Sequence, residues 1–213
     1  MEFYLAKTSA ELEWLTQTLE SGSYLFFPHW SFKIPAAIYN KYRCVIFHMT
    51  DLPYGRGGSP LQNLIMRGHK ETQISALRCV EELDAGPIYL KRPLSLEGRA
   101  QHIFERAAEI IEEMIVDIVT QSLIPVPQAE LDETALNSSV FKRRRPEESD
   151  LSNVDTLEKM YDTIRMMDAE GYPLGYLETA SARFSFHHVE KEGDELVARV
   201  KITAKQAEKP KTP

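Results

Sequence analysis

Strand-length apolar runs alternating with helical repeats predict an α/β protein. It should have a mostly parallel sheet with flanking helices, and a small α+β module at the C-terminal end. Three observations carry this. The runs at 24–27, 44–47 and 74–80 are apolar over the length of buried strands. Between and after them come helix signals. The longest, over 98–123, repeats Ile103, Phe104, Ala107, Ile110, Ile111, Met114 and Ile118 at the three-four spacing of a core-facing stripe. Beyond Ile124 the chain turns polar, then offers one further helix and two strand runs around Glu192-Gly193-Asp194, a hairpin signature.

Taken in order, Phe3-Tyr4-Leu5 reads as a short strand and 10–19 as a helix with Leu12, Leu15 and Leu19 on one side. Pro35 suits the first turn of a short helix to Tyr42, because its missing N–H is not needed there. Ser59 reads as an N-cap and Pro60 as the first residue of the next helix, whose apolar face is Leu61, Leu64 and Ile65. A short strand at 88–90 is expected to stop at Pro93. Asp155-Thr156-Leu157-Glu158 is a capping signal for a helix ending near Ala169, before Gly171. The expected organisation is a catalytic domain over 1–124, an extended linker over 125–152, a helix-plus-hairpin module over 153–204 and a disordered tail over 205–213.

The chain has 213 residues, 43% of them apolar and 27% charged, ordinary for a globular protein. A net charge of −7 disfavours a nucleic-acid partner, whose phosphates it would repel. The single basic run, Lys142-Arg143-Arg144-Arg145, reads first as a solvated linker and second as a contact for a phosphate-bearing ligand. Cys44 and Cys79 lie in apolar runs and read as small core residues in a reducing compartment. No signal peptide is legible, and no apolar run approaches the roughly 20 residues of a membrane span. A cytoplasmic protein with no membrane partner is expected.

In parallel sheets, ligands gather at the carboxyl ends of strands. His48 follows the 44–47 run, Asp84 lies in the loop after 74–80, and Trp30 and Phe32 follow the 24–27 run. Three strand ends thus offer a histidine, an acid and an aromatic wall, the parts of a base-and-orienter site. Singly, each has a structural explanation: a turn for Asp84-Ala85-Gly86-Pro87, a buried ring for His48. The Gly55-Arg56-Gly57-Gly58 loop could receive an anion on its N–H groups or could serve only as a turn.

His48 followed by Leu52-Pro53, then Arg56-Gly57-Gly58, Ser59-Pro60-Leu61-Gln62 and Leu83-Asp84-Ala85-Gly86-Pro87-Ile88, resembles the catalytic segment of folate-dependent formyltransferases. The two motifs lie 84 − 48 = 36 residues apart. The likeness covers about 24–123, and Ile164-Arg165 through Gly171-Tyr172-Pro173 faintly resembles the start of a C-terminal module. That family includes methionyl-tRNA, glycinamide ribonucleotide and amino-sugar enzymes. The wording around His48 most resembles enzymes acting on nucleotide-linked amino sugars, of the pseudaminic acid type.

The resemblance implies a reduced, Rossmann-like formyltransferase domain. It would use 10-formyltetrahydrofolate as cosubstrate, without a metal, and an amino-sugar acceptor. His48 would take the amine proton and stabilise the tetrahedral intermediate. Asp84 would orient the centre, and Ser75 would support it. Phe27, Trp30, Phe32 and the Val80, Glu81, Glu82 and Leu83 stretch would line the pterin pocket. Thr50, Arg56, Gly57, Gly58 and Ser59 would meet the acceptor.

Two departures stand out. Ile46 occupies the position where the family carries an oxyanion-holding Asn, and losing such a donor costs on the order of a hundredfold in turnover. Thr50 and Asn63 are the candidate replacements. The N-terminal half of the usual sheet is also largely missing, so a reduced sheet is expected, with an edge covered by a partner in a homodimer. A catalytically altered relative that only binds folate or sugar, and a formyl-folate hydrolase, are the alternative functions.

Overall fold

The computed structural model describes residues 4–30, 32–130, 134 and 139–205. Strands β1 (Tyr24–Phe27), β2 (Arg43–His48), β3 (Glu71–Arg78) and β4 (Ile88–Ser95) form one sheet in that order. β1 and β2 are parallel, with Phe27 opposite Ile46. β2 and β3 are antiparallel, with His48 opposite Ser75. The α/β class holds, but the sheet is mixed rather than mostly parallel. The connection from His48 to Glu71 contains a helix and is long enough for either direction, so its length carries no directional information.

Helix α1 (Ser9–Thr16) starts with a capping box. The Thr8 hydroxyl accepts from Glu11 N–H, and the Glu11 carboxylate accepts from Thr8 N–H. A four-residue α2 (Ala36–Tyr39) follows Pro35. Helix α3 (Pro60–Met66) begins at Pro60 as expected, but Ser59 does not cap it. Ser59 has φ +51°, and its Oγ accepts instead from the N–H of Arg144 at 3.1 Å. β4 runs through Pro93 to Ser95; it is the last strand of the sheet, where a proline's missing N–H is tolerated, and its bridge to Val126 is made at Ile88, away from the proline. Tyr4 and Leu5 lie outside any strand, and Phe3 lies outside the described residues.

Helix α4 (Ala100–Thr120) buries Ala100, Ile103, Ala107, Ile111, Met114 and Ile118; of the expected stripe, Phe104 and Ile110 are only partly buried. Each large side chain buried there is worth about 2 kcal/mol. Helix α5 (Leu157–Arg165) is capped by Thr156, whose hydroxyl accepts from Lys159 N–H. A second sheet, β5 (Gly175–Glu178), β6 (Ala182–Glu192) and β7 (Glu195–Ala204), is antiparallel throughout. Gly193 and Asp194 connect the expected hairpin, while β5 had no clear sequence signal. No described helix is long and apolar enough to cross a membrane.

The chain forms two compact units. The first draws on Met1–Gly57, Gln73–Pro93 and Ala107–Val140; the second on Gly58–Thr72, Leu94–Arg106 and Phe141–Pro213. In the first, Leu12, Phe27, Ile34, Ile38, Tyr42, Cys44 and Cys79 share a buried cluster. In the second, Leu151, Ile164 and Val189 do so, with Tyr161, Phe186 and Leu196 packed around them. Arg165 is buried in the second unit, donating to the carbonyls of Leu96 and Gly98.

Candidate active site

The first unit brings His48 and Asp84 together. His48 is the last residue of β2, and its ring is buried. Its Nε2 lies 2.8 Å from the carbonyl oxygen of Gly55. A carbonyl has no proton to give, so Nε2 carries the hydrogen and donates it. In neutral His48 the basic atom is therefore Nδ1, and Nδ1 faces Asp84 Oδ2 at 3.7 Å. A proton arriving at Nδ1 produces an imidazolium with both ends met, one by a carbonyl and one by a carboxylate.

Asp84 is held for that task. Its Oδ2 accepts the backbone N–H of Gly57 at 3.0 Å, and its own backbone sits at φ +53°, a left-handed conformation that Asp tolerates better than most residues. The Gln128 amide clamps the loop, donating to the carbonyls of Asp84 (2.7 Å) and Gly86 (2.9 Å). Gln128 Oε1 in turn accepts from Arg56 Nε and Nη2. Arg56 also pairs with Glu82 at 3.1 Å. Gly86 is forced: a Cβ there would stand 1.8 Å from the carbonyl oxygen of Arg78.

Ser75, fully buried opposite His48, donates to the Thr50 carbonyl at 2.7 Å and accepts from Leu52 N–H at 3.4 Å. It ties together the turn that follows the histidine. Thr50 is also fully buried, its hydroxyl directed to the Gly55 carbonyl at 3.4 Å. Asn63 gives its amide to the carbonyls of Gly58, Ser59 and Lys142. Both candidate replacements for the missing asparagine are thus committed to backbone oxygens. Gly58 and Ser59 belong to the second unit, Arg56 and Gly57 to the first.

The aromatic wall is present in the first unit. Phe27 and Trp30 rings meet edge to face at 5.7 Å, Trp30 and Phe32 at 5.6 Å. Trp30 packs against the cluster containing Cys79, the residue before Val80. Its Nε1 is buried without an acceptor among the described residues. Glu81 and Glu82 are exposed, and Leu83 presents 69% of its surface. A cleft of about 750 Å³, lined by Asp51, Leu52, Tyr54, Tyr89, Lys91 and Gln128 among others, adjoins the clamp on Asp84 through Gln128. Lys91 there bonds Asp51 and the Leu52 carbonyl.

Neither cysteine suits nucleophilic work. Burial, then the neighbouring Cys79, push the Cys44 thiol up to about 12, with Arg78 opposing. Cys79 is also raised, by burial first and by Asp84 second. Among the described residues no group of three or more His, Cys, Asp or Glu is placed to hold a metal ion. Sequence reasoning missed the Gly55 carbonyl and Gln128, and it expected an anion on the N–H groups of the 55–58 loop without identifying the Asp84 carboxylate as the one that Gly57 receives. The carbonyl is a backbone group with no residue signature, and Gln128 lies in a stretch that reads as linker.

Comparison with known proteins finds likenesses of sequence and fold. A sequence model described as the methionyl-tRNA formyltransferase C-terminal domain matches residues 146–203. The solved methionyl-tRNA formyltransferase from Clostridium thermocellum is 42% identical with a TM-score of 0.83, over 93% of this chain and 83% of that one. The methionyl-tRNA formyltransferase of Rickettsia massiliae (strain Mtu5) is 30% identical over 106 residues, 47% of this chain. That alignment spans 35% of the relative, about a third of its length. A sugar N-formyltransferase from Shewanella sp. FDAARGOS_354 shares the fold, with a TM-score of 0.59 at 15% identity, over 94% of this chain and 76% of that one. The buried histidine and acid, the loop that holds them and these likenesses place the chain in the formyltransferase family, among methionyl-tRNA formyltransferase-like proteins.

Proposed function

We propose that the protein transfers a formyl group from 10-formyltetrahydrofolate to the primary amine of a nucleotide-linked amino sugar. The observation that carries this reading is the orientation of His48. Its Nε2 is tied to Gly55, which leaves Nδ1 as the base, beside the Asp84 carboxylate. An amine attacking a formyl group must lose a proton, and Nδ1 is positioned to take it while Asp84 steadies the resulting charge. Phe27, Trp30, Phe32 and the backbone of 80–83 would hold the folate, which supplies the formyl group. Gly57 N–H keeps Asp84 aimed, and Gln128 and Ser75 keep the two loops in place.

A small acceptor suits the net charge of −7, which opposes a polyanion such as tRNA. The Shewanella protein, named for sugar N-formylation, shares the fold over nearly the whole chain. The second reading, methionyl-tRNA as acceptor, is favoured by the 42% identity to the Clostridium thermocellum protein. Mass spectrometry of products formed from 10-formyltetrahydrofolate with amino-sugar nucleotides or with methionyl-tRNA separates the two. Formate release without any acceptor would instead identify a formyl-folate hydrolase. A homodimer belongs to the same reading, and a monomer by light scattering at micromolar concentration counts against it.

A further inference from the structure

Arg99 and three histidines of the second unit form one hydrogen-bonded chain. Arg99, the residue before α4, reaches His188 Nε2 through Nη1 at 3.0 Å and His102 Nε2 through Nη2 at 3.0 Å. His187 Nδ1 and His188 Nδ1 lie 2.7 Å apart. A guanidinium only donates, so both Nε2 atoms accept. His188 therefore carries its hydrogen on Nδ1 and gives it to His187 Nδ1, which leaves the His187 hydrogen on its Nε2. In each ring the nitrogen left to take a proton is one already accepting a bond: Nε2 of His102 and His188, and Nδ1 of His187. Charging any one ring breaks the chain.

This chain fastens a strained place in the fold. His188 has φ +53°, a left-handed backbone that costs free energy in a residue with a side chain. The register of β6 against β7 shifts between His187 and Glu190. The His188 N–H donates to Oδ2 of buried Asp168 at 2.7 Å, and Arg99 Nη1 pairs with the same oxygen at 3.2 Å. The Asp168 carbonyl accepts in turn from Gln101 N–H, in the first turn of α4, at 3.0 Å. The charged and titratable groups facing His188 are Arg99 from the start of α4, Asp168 from the turn after α5, His187 from its own strand and Arg199 from β7. His102 is tied to the same Arg99. Desolvation first, and the Arg99 charge second, hold His188 below the ordinary histidine range against the opposing pull of Asp168.

We propose that Arg99, His102, His187 and His188 form an acid-sensitive latch that pins the bulge of β6 to the start of α4. Neutral rings close it. As pH falls through the histidine range, His188 takes a proton on Nε2 and sets a second cation against Arg99, and the latch opens. A ring held neutral in the folded chain but free to charge in the unfolded one makes stability rise with pH. The contribution is complete above the ordinary histidine range and is lost as pH falls through the folded value.

The test is a pH titration of the full chain followed by NMR of the histidine rings, which reads the tautomer and charge of each, with melting temperature measured over the same range. At neutral pH the hydrogen of His188 should sit on Nδ1 and that of His187 on Nε2. His188 should charge at a lower pH than a histidine of the unfolded chain, and Arg99→Leu should move that midpoint upward. The melting temperature should fall between about pH 7.5 and 5.5. The fall should be smaller in His188→Asn, because asparagine tolerates the left-handed backbone and keeps the N–H for Asp168 but takes no proton. This variant carries the test if Arg99→Leu does not fold. A His188 hydrogen on Nε2, a His188 midpoint at or above that of the unfolded chain, or an equal acid loss in His188→Asn overturns the latch.

Discussion

His48 Nδ1 faces Asp84 Oδ2 across 3.7 Å, while the other ring nitrogen is bound to the carbonyl of Gly55. The distance is longer than a hydrogen bond, as expected before substrate arrives and the imidazole gains its proton. His48→Ala should lower turnover by on the order of 10²–10⁴-fold. Asp84→Asn should also lower it, with the fold retained, because the amide oxygen can still accept Gly57 N–H. Steady-state kinetics with circular dichroism of each variant checks this.

Ile46 precedes His48 by two residues on β2, so both side chains face the same side of the sheet. Ile46→Asn would put an amide beside the histidine. It should raise turnover by on the order of tenfold or more. It should also cost about 1 kcal/mol or more of stability, because Ile46 packs against the core of the first unit. Unchanged turnover in a folded variant would mean that position 46 does not reach the oxyanion.

Gln128→Leu removes two donors from the carbonyls of Asp84 and Gly86 and one acceptor from Arg56. Stability should fall by about 1–3 kcal/mol. kcat should fall more than KM rises, because Gln128 positions the acid and is not assigned to substrate. Urea unfolding and kinetics test the two halves separately.

Gly86→Ala should be more damaging than its size suggests, since the added methyl meets the Arg78 carbonyl. A loss on the order of 3 kcal/mol is expected. A variant as stable as the parent in urea would show that this loop moves freely.

The buried thiols give a pH prediction. With the folded pKa of Cys44 raised to about 12, the unfolded chain releases its proton first as pH rises. The Cys44 contribution is therefore complete below the ordinary thiol range and is lost as pH climbs towards 12. At pH 8 the native protein should resist thiol labelling that the unfolded protein accepts. Rapid native labelling of Cys44 would contradict its burial.

Much of this was legible in the sequence, for reasons that can be stated residue by residue. The apolar run 24–27 coincides with β1, and most of the α4 stripe appears at the expected positions, because burial imposes periodicity directly. Strand direction does not: β3 has the same apolar character whichever way it runs, so the antiparallel β2–β3 pair was hidden. β5 is four residues long and starts with glycine, too short for a period. His48 and Asp84 were visible as side chains placed at strand ends. Gly55 O, which orients the ring, belongs to the backbone and leaves no mark in the alphabet, whereas the glycine loop that offers Gly57 N–H to Asp84 was visible as an anion-receiving turn. Ser59 shows the opposite failure: a good capping residue whose hydroxyl was taken by a distant N–H, that of Arg144.

The most direct test is formyl transfer itself. The protein and its His48→Ala variant would be incubated with 10-formyltetrahydrofolate and a panel of amino-sugar nucleotides, with tetrahydrofolate release and product mass followed together. The account predicts a product heavier by one formyl group with the parent chain and its loss with the variant. Equal product from both would contradict the assignment of His48, and no product across the panel despite folate binding would contradict the proposed activity.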